Sequence, residues 1–347
     1  MRRIVLALAV LLSARVHAQR PPDLPLTPEL RARLLDAAAE RIEKFYVFPD
    51  KAVLIAKALR DAESSPEVAA ATTALALVPV VNRVLQSAVH DEHLRFGYSA
   101  VADTRAEDAP ETPAEAAEAR EEARRNGFGI AGVQRLDGNI GLLTWTKFYE
   151  PALAGEAVVT AMKLLQSTDA LIIDLRASDG GSPEMVLLLL SYFVPEGDPV
   201  HVSTMFNRFT NTTAQQWTLA FVPPPRYTGR DVYVLTSART WSAGEGFAEH
   251  MRRIAHATLV GETTRGGAHP ARWMTIDPQF AVSVPVARAI EGTVDWEGKG
   301  VPPDIATSAA DALATAHRLA LTRLRDRASD ADTRSFYESA IAAVASR

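Results

Sequence analysis

From Thr27 onward, apolar positions recur at helical spacing. Leu30, Leu34, Leu35, Ala38 and Ile42 fall on one stripe, behind a Thr27-Pro28 pair that reads as an N-cap followed by a first-turn proline. The pattern predicts a second helix over Asp50–Glu63 and a third over Pro66–Val89. Together with a Pro-rich lead-in at residues 19–26, these make a helical domain over 19–100. Residues 101–126 are acids and arginines among alanines, broken by Pro110 and Pro113. They read as a charged linker passing into a solvated helix near Ala114–Arg125, where Glu121 and Arg125 stand four apart. After Asn126 the pattern alternates. Strands are expected at Asn139–Trp145, Ala170–Leu175, Val232–Leu235, Thr258–Val260, Trp273–Ile276 and Phe280–Ala287. Helices are expected at Ala152–Leu165, Pro183–Phe193 and Ser242–Ala255. Ala170–Leu175 is almost wholly apolar, as in strands covered on both faces. The alternation predicts an α/β core over residues 127–310, with a mostly parallel sheet and helices on both sides. Helices at Asp311–Arg325 and Asp332–Val344 occupy residues 311–347, and no internal repeat is visible.

The first residues follow another pattern. Arg2 and Arg3 precede nine apolar residues, Ile4 to Leu12, and Val16-His17-Ala18 fits a small-x-small cleavage site. Residues 1–18 therefore read as a signal peptide, with Gln19 as the mature start. The run is too short to span about 30 Å of hydrocarbon. Met185–Val194, interrupted by Ser191 and Tyr192, is too short as well. The expected location is exported, periplasmic or extracellular. Among 347 residues, 47% are apolar and none is cysteine, which excludes disulfides, thiolate metal sites and a cysteine nucleophile. The net charge of −5 argues against broad nucleic-acid binding. Cleavage would remove Arg2, Arg3 and Arg15 and no acid, leaving the mature chain more acidic.

Candidate chemistry lies at strand ends. Asp174–Gly181 (DLRASDGG) follows a buried strand, and two glycines there let backbone N–H groups face a ligand. This turn carries neither nucleotide signature, GxxxxGK[ST] or GxGxxG. Thr236–Glu245 (TSARTWSAGE) again joins a buried strand to a helix, so Ser242 sits in the positive field of a helix N-terminus. Ser242-x-x-Glu245 reads equally well as a capping box. A hydroxyl nucleophile needs a base. His90 and His93 flank Asp91 and Glu92, a spacing too poor for a metal site without a third ligand motif. His269 lies in a Gly-rich loop, while His250 and His256 read as surface or packing residues. Glu297 stands in a Gly/Pro-rich loop suited to an orienting acid.

These segments occur together, in this order, in one family. DEHLRF (Asp91–Phe96), NGFGI…GNIGLLTWTKF (Asn126–Phe148), LIIDLRASDGG (Leu171–Gly181), VLTSARTWSAGE (Val234–Glu245), LVGETTRGGAHP (Leu259–Pro270) and EGKGVPPDI (Glu297–Ile305) resemble the tail-specific (C-terminal processing) serine peptidases. The branch most similar is that of the tricorn core and the repeats of interphotoreceptor retinoid-binding protein. The resemblance implies a ClpP/crotonase-like core behind an N-terminal helical bundle, without a PDZ domain. It implies Ser242 as nucleophile, oxyanion donors at Gly180 or Gly181 and Ala243, and a pocket loop of Arg265, Gly266, Gly267 and His269. Lysine-dependent members carry their base in a GEKTFGKG-like segment. Gly267 stands at that position, so the resemblance implies His93 as base and Glu297 as its acid. Two departures are visible: Ser178 replaces the family's Asn, and the serine that links histidine to glutamate in the tricorn core has no clear counterpart. A direct Glu297–His93 contact and a role for Glu92 both remain open.

The expected function is an exported serine peptidase acting on peptides or protein C-termini, with no metal or organic cofactor and an unfolded or peptide substrate. The base should titrate near 6.5, raised by a neighbouring carboxylate. One alternative is a non-catalytic binder of an apolar ligand or peptide on the same fold. A crotonase-like acyl-CoA enzyme fits poorly with export, since CoA is intracellular.

Overall fold

The computed structural model describes residues 23–105 and 109–345. The expected signal peptide, residues 1–18, lies outside the described residues.

Thr27 caps α1 (Pro28–Phe45), its hydroxyl accepting the Leu30 N–H at 3.2 Å. α2 (Pro49–Ala62) follows. The single helix expected over Pro66–Val89 is two, α3 (Pro66–Ala70) and α4 (Ala74–Ala88). The incoming segment explains the break: Leu26 N–H donates to Thr72 O and Ala74 N–H to Leu24 O. Strand β1 (Arg95–Tyr98) was not expected, and α5 (Pro113–Arg125) begins at a Thr112/Glu115 capping box. Next come β2 (Ile130–Leu136), β3 (Ile140–Trp145), α6 (Pro151–Leu165), β4 (Ala170–Asp174) and α7 (Pro183–Leu190). They are followed by β5 (His201–Asn207), β6 (Thr212–Trp217), β7 (Asp231–Thr236), α8 (Ala243–Ala255) and β8 (Thr258–Gly261). The chain continues through β9 (Ala271–Asp277), β10 (Phe280–Pro285), β11 (Ala287–Glu291) and β12 (Ile305–Ala306), and then α9 (Ala312–Arg327) and α10 (Ala331–Ala345).

The central sheet has the order β12-β8-β7-β4-β3-β2 and is parallel except for the β2/β3 pair. Both faces are covered. Leu171 and Ile173 of β4 point into the layer of α6, α7 and α8, whereas Ala170 and Ile172 point toward α9 and α10. This two-sided burial is why β4 is continuously apolar. No helix among the described residues is long and apolar enough to cross a membrane.

The N-terminal layer is not helical alone. β9 and β10 do not join the central sheet; they form a separate antiparallel sheet with β1, in the order β1-β10-β9. Phe96, Phe280, Val282 and Val284 of that small sheet share a core with Leu34, Ile55 and Leu77 of the helices. Alternation in sequence marks a strand but does not say which sheet it joins. This pairing delivers the residues just before β1 to the carboxyl ends of β4 and β7, where open parallel sheets place their ligands.

Candidate active site

The loops after the adjacent parallel strands β4 and β7 are tied together. Trp241 N–H donates to Ser178 O at 3.0 Å, and the buried Thr240 hydroxyl donates to Leu175 O at 2.9 Å. Between them Ser242 is held at φ 51°, ψ −117°. A residue with a Cβ adopts this backbone at a cost of order 1–3 kcal/mol, sustained only by firm surroundings. Glu245 supplies much of that firmness. It is fully buried and accepts from the N–H groups of Ser242 (2.8 Å), Gly266 (2.6 Å) and Gly267 (2.8 Å), and from the Thr264 hydroxyl (2.5 Å). Burial pushes its carboxyl above the usual range, against these hydrogen bonds. The expected capping glutamate thus ties Ser242 to the 264–267 loop.

His93 reaches Ser242 from the N-terminal layer, with Nε2 3.1 Å from Oγ. Its backbone N–H donates to Asp91 Oδ1 at 3.1 Å, and its ring stacks on Trp241 with centroids 4.5 Å apart. Burial holds the imidazole down to about 4, outweighing the pull of Asp91. This reverses the sequence-based expectation of an upward shift: among the described residues, no carboxylate touches the ring closely enough to offset its desolvation.

The glycines explain the close approach. A Cβ on Gly180, whose φ is +82°, would lie 2.8 Å from Ser242 Cβ and 3.1 Å from Ala243 N. Gly181 and Ala243 line the same cavity as Ser242. Ala243 heads α8, where first-turn N–H groups have no intrahelical acceptor. A Cβ on Gly267 would meet the Trp241 ring at 2.5 Å and His93 Cε1 at 2.7 Å. The position where a lysine base would stand therefore has no room for a side chain. Ser178 is buried, its hydroxyl has no partner among the described residues, and its main-chain carbonyl anchors Trp241.

Glu297 does not join His93. Its Oε2 accepts the Ala268 N–H at 2.6 Å and lies 3.3 Å from His269 Nδ1, while His93 Nδ1 has no hydrogen-bond partner among the described residues. The cause is the fold of the 264–270 loop, which inserts His269 among the acids. Asp91 Oδ2 lies 3.5 Å from His269 Nδ1 and accepts the Tyr46 hydroxyl, and Asp295 Oδ1 lies 3.5 Å from Nε2. Burial disfavours charge on His269, but Asp295, Asp91 and Glu297 outweigh it and push the ring up to about 9. Burial and the Asp91 charge push Glu297 upward. Of the expected pocket loop only Gly267 lines the cavity at Ser242. Arg265 lies over the outside of Trp241 and pairs with Glu92, and Gly266 packs on the backbone of residues 298–300. His250, expected to be a surface or packing residue, is a cavity wall. Trp241, Asp91 and Asp295 were missed, though Asp91 sits two residues before His93.

Residues 139–307 match the family model of Peptidase family S41. The fold is shared with solved structures of low identity. A lipoprotein from Streptococcus agalactiae superposes with a TM-score of 0.55 at 14% identity, over 86% of this chain and 98% of that one. A candidate peptidase of Parabacteroides merdae ATCC 43184 gives 0.53 at 18% identity, over 82% and 90%. The tricorn protease gives 0.50 at 13% identity, over 83% of this chain and 35% of the longer one. The family-model match agrees with the resemblance read from the motifs, and it supports a peptidase with peptide or protein substrates.

Proposed function

We propose that the protein is an exported serine peptidase whose nucleophile is Ser242 and whose base is His93. The observation that carries this reading is the 3.1 Å approach of His93 Nε2 to Ser242 Oγ, on a residue held at a strained backbone angle beside two glycines. A ring buried and neutral can take the hydroxyl proton as Oγ attacks the scissile carbonyl. Backbone N–H groups of Gly180 or Gly181 and of Ala243 stabilise the oxyanion. The imidazolium is stabilised by the indole face of Trp241 and by Asp91, and then protonates the leaving amine. Water repeats the sequence on the acyl-enzyme. Glu297 acts at a distance, through the charge cluster around His269. The run of Arg2-Arg3, apolar core and Val16-His17-Ala18 supports export. Ser242→Ala should lower peptide hydrolysis at least about 10³-fold. Wild-type hydrolysis by that variant would overturn the reading.

A further inference from the structure

The cavity at Ser242 has a volume of about 410 Å³ and follows α8 inward. Ser242, Gly246 and His250 are spaced by four residues, share one helix face and all line it. Eight residues of helix advance roughly 12 Å, and helical side chains lean back toward the N-terminus. The His250 ring therefore closes the cavity at the depth a long aromatic side chain reaches from Ser242. Its Nε2 lies 4.0 Å from where a Gly246 Cβ would be.

The walls are mostly hydrocarbon; Ser203, Gln216, Ser283 and Thr293 also reach the lining, and the Ser203 hydroxyl donates to Gln216 Oε1 at 2.6 Å. Val186, Leu187 and Met205 contribute aliphatic surface. Trp296 presents only its ring, because its indole N–H donates to Gly267 O at 3.1 Å. At the α8 end the polar group is His250, and it is fixed. His250 Nδ1 is 2.7 Å from Oε2 of Glu249, and the two residues are 7% and 4% exposed. Arg253 also approaches Nδ1, at 3.3 Å, but the shorter contact to a carboxylate makes Nδ1 the donor. In the neutral ring that leaves Nε2 with a lone pair, and it has no hydrogen bond from the described residues. A largely apolar slot with a preoriented acceptor at its α8 end matches a phenol: ring against the walls, hydroxyl on the nitrogen.

We propose that this cavity holds the side chain on the acyl side of the scissile bond, and that His250, oriented by Glu249, selects tyrosine there by accepting its hydroxyl proton in a hydrogen bond to Nε2. The inference rests on Ser242 being the nucleophile. A buried acceptor left unpaired by phenylalanine is what gives such a site its discrimination.

The test is a peptide series differing only at that position, with Tyr, Phe, Leu, Ala or Glu, cleaved by wild type, His250→Phe and Gly246→Val. A fluorophosphonate probe reports Ser242 reactivity on the same samples. Wild type should prefer Tyr to Phe by at least about tenfold in kcat/KM. His250→Phe should cleave both alike. Gly246→Val, whose Cβ has room 3.7 Å from Trp296 while the rest of the side chain fills the slot, should shift preference toward Ala at least tenfold. Equal cleavage of Tyr and Phe by wild type, a Glu preference, or discrimination surviving in His250→Phe overturns the pocket assignment even where Ser242 is labelled. Absence of both labelling and cleavage overturns the nucleophile and the pocket together.

Discussion

Gly267→Ala is the smallest change that should separate Ser242 from His93. The added Cβ would lie 2.5 Å from two Trp241 ring atoms and 2.7 Å from His93 Cε1, about 1 Å inside ordinary contact. Neither ring can simply retreat. Trp241 is held by its N–H bond to Ser178 O and backed by the Arg265 guanidinium, 4.8 Å from its centroid. His93 is pinned at its N–H by Asp91. The strain must therefore move the imidazole relative to Oγ. Overpacking of this kind costs about 1–3 kcal/mol, and a misplacement near 1 Å costs on the order of 10²-fold in rate. The variant should melt several degrees lower and lose about 10- to 100-fold in kcat, with KM changed much less. Steady-state peptide hydrolysis and calorimetry on one preparation read both effects. Gly246→Ala is the stability control, since its Cβ meets nothing closer than 3.7 Å and a helical alanine gains up to about 1 kcal/mol. A Gly267→Ala enzyme with wild-type kcat and melting temperature would refute the steric account of the His93 position.

Because burial holds His93 down to about 4, kcat/KM should rise with pH through about 4 and be flat at neutrality; a base-limb midpoint at 6.5 or above contradicts this. His269, raised to about 9, contributes stability that is complete below about 6.5 and lost as pH rises through 9. Glu297→Gln removes one of the carboxylates that raise it, so the His269 ring should titrate lower by NMR and the alkaline loss of stability should begin earlier; an unchanged His269 titration contradicts the 3.3 Å pairing. The exported protein should begin at Gln19 by N-terminal sequencing, and an intact Met1 outside the cytoplasm would contradict cleavage.

Much of the fold is legible because its helices and central strands are long and strongly patterned. The Thr27 cap, the β3-α6-β4 unit and the β7-α8 junction follow from local chemistry, and all lie within a residue or two of expectation. What escaped is non-local. Arg95–Tyr98 carries one buried position in four, too little pattern to announce a strand, and its partner lies near residue 280. The same limit governs the site. Ser242, His93 and the glycines stand in recognisable motifs, but the tie from Glu297 to His269 rather than His93 depends on how two loops meet. His250 looked like one more polar residue on a helix, and only the cavity beside it shows which side it faces.

The proposed nucleophile is Ser242, activated by His93. The most direct measurement of this role is mass-spectrometric mapping of a fluorophosphonate adduct on wild type and on His93→Ala. The expected result is one adduct, on the Ser242 peptide, formed rapidly in wild type and slowed at least about 10²-fold in His93→Ala. An adduct on another serine, or equal labelling of Ser242 in both proteins, would contradict it.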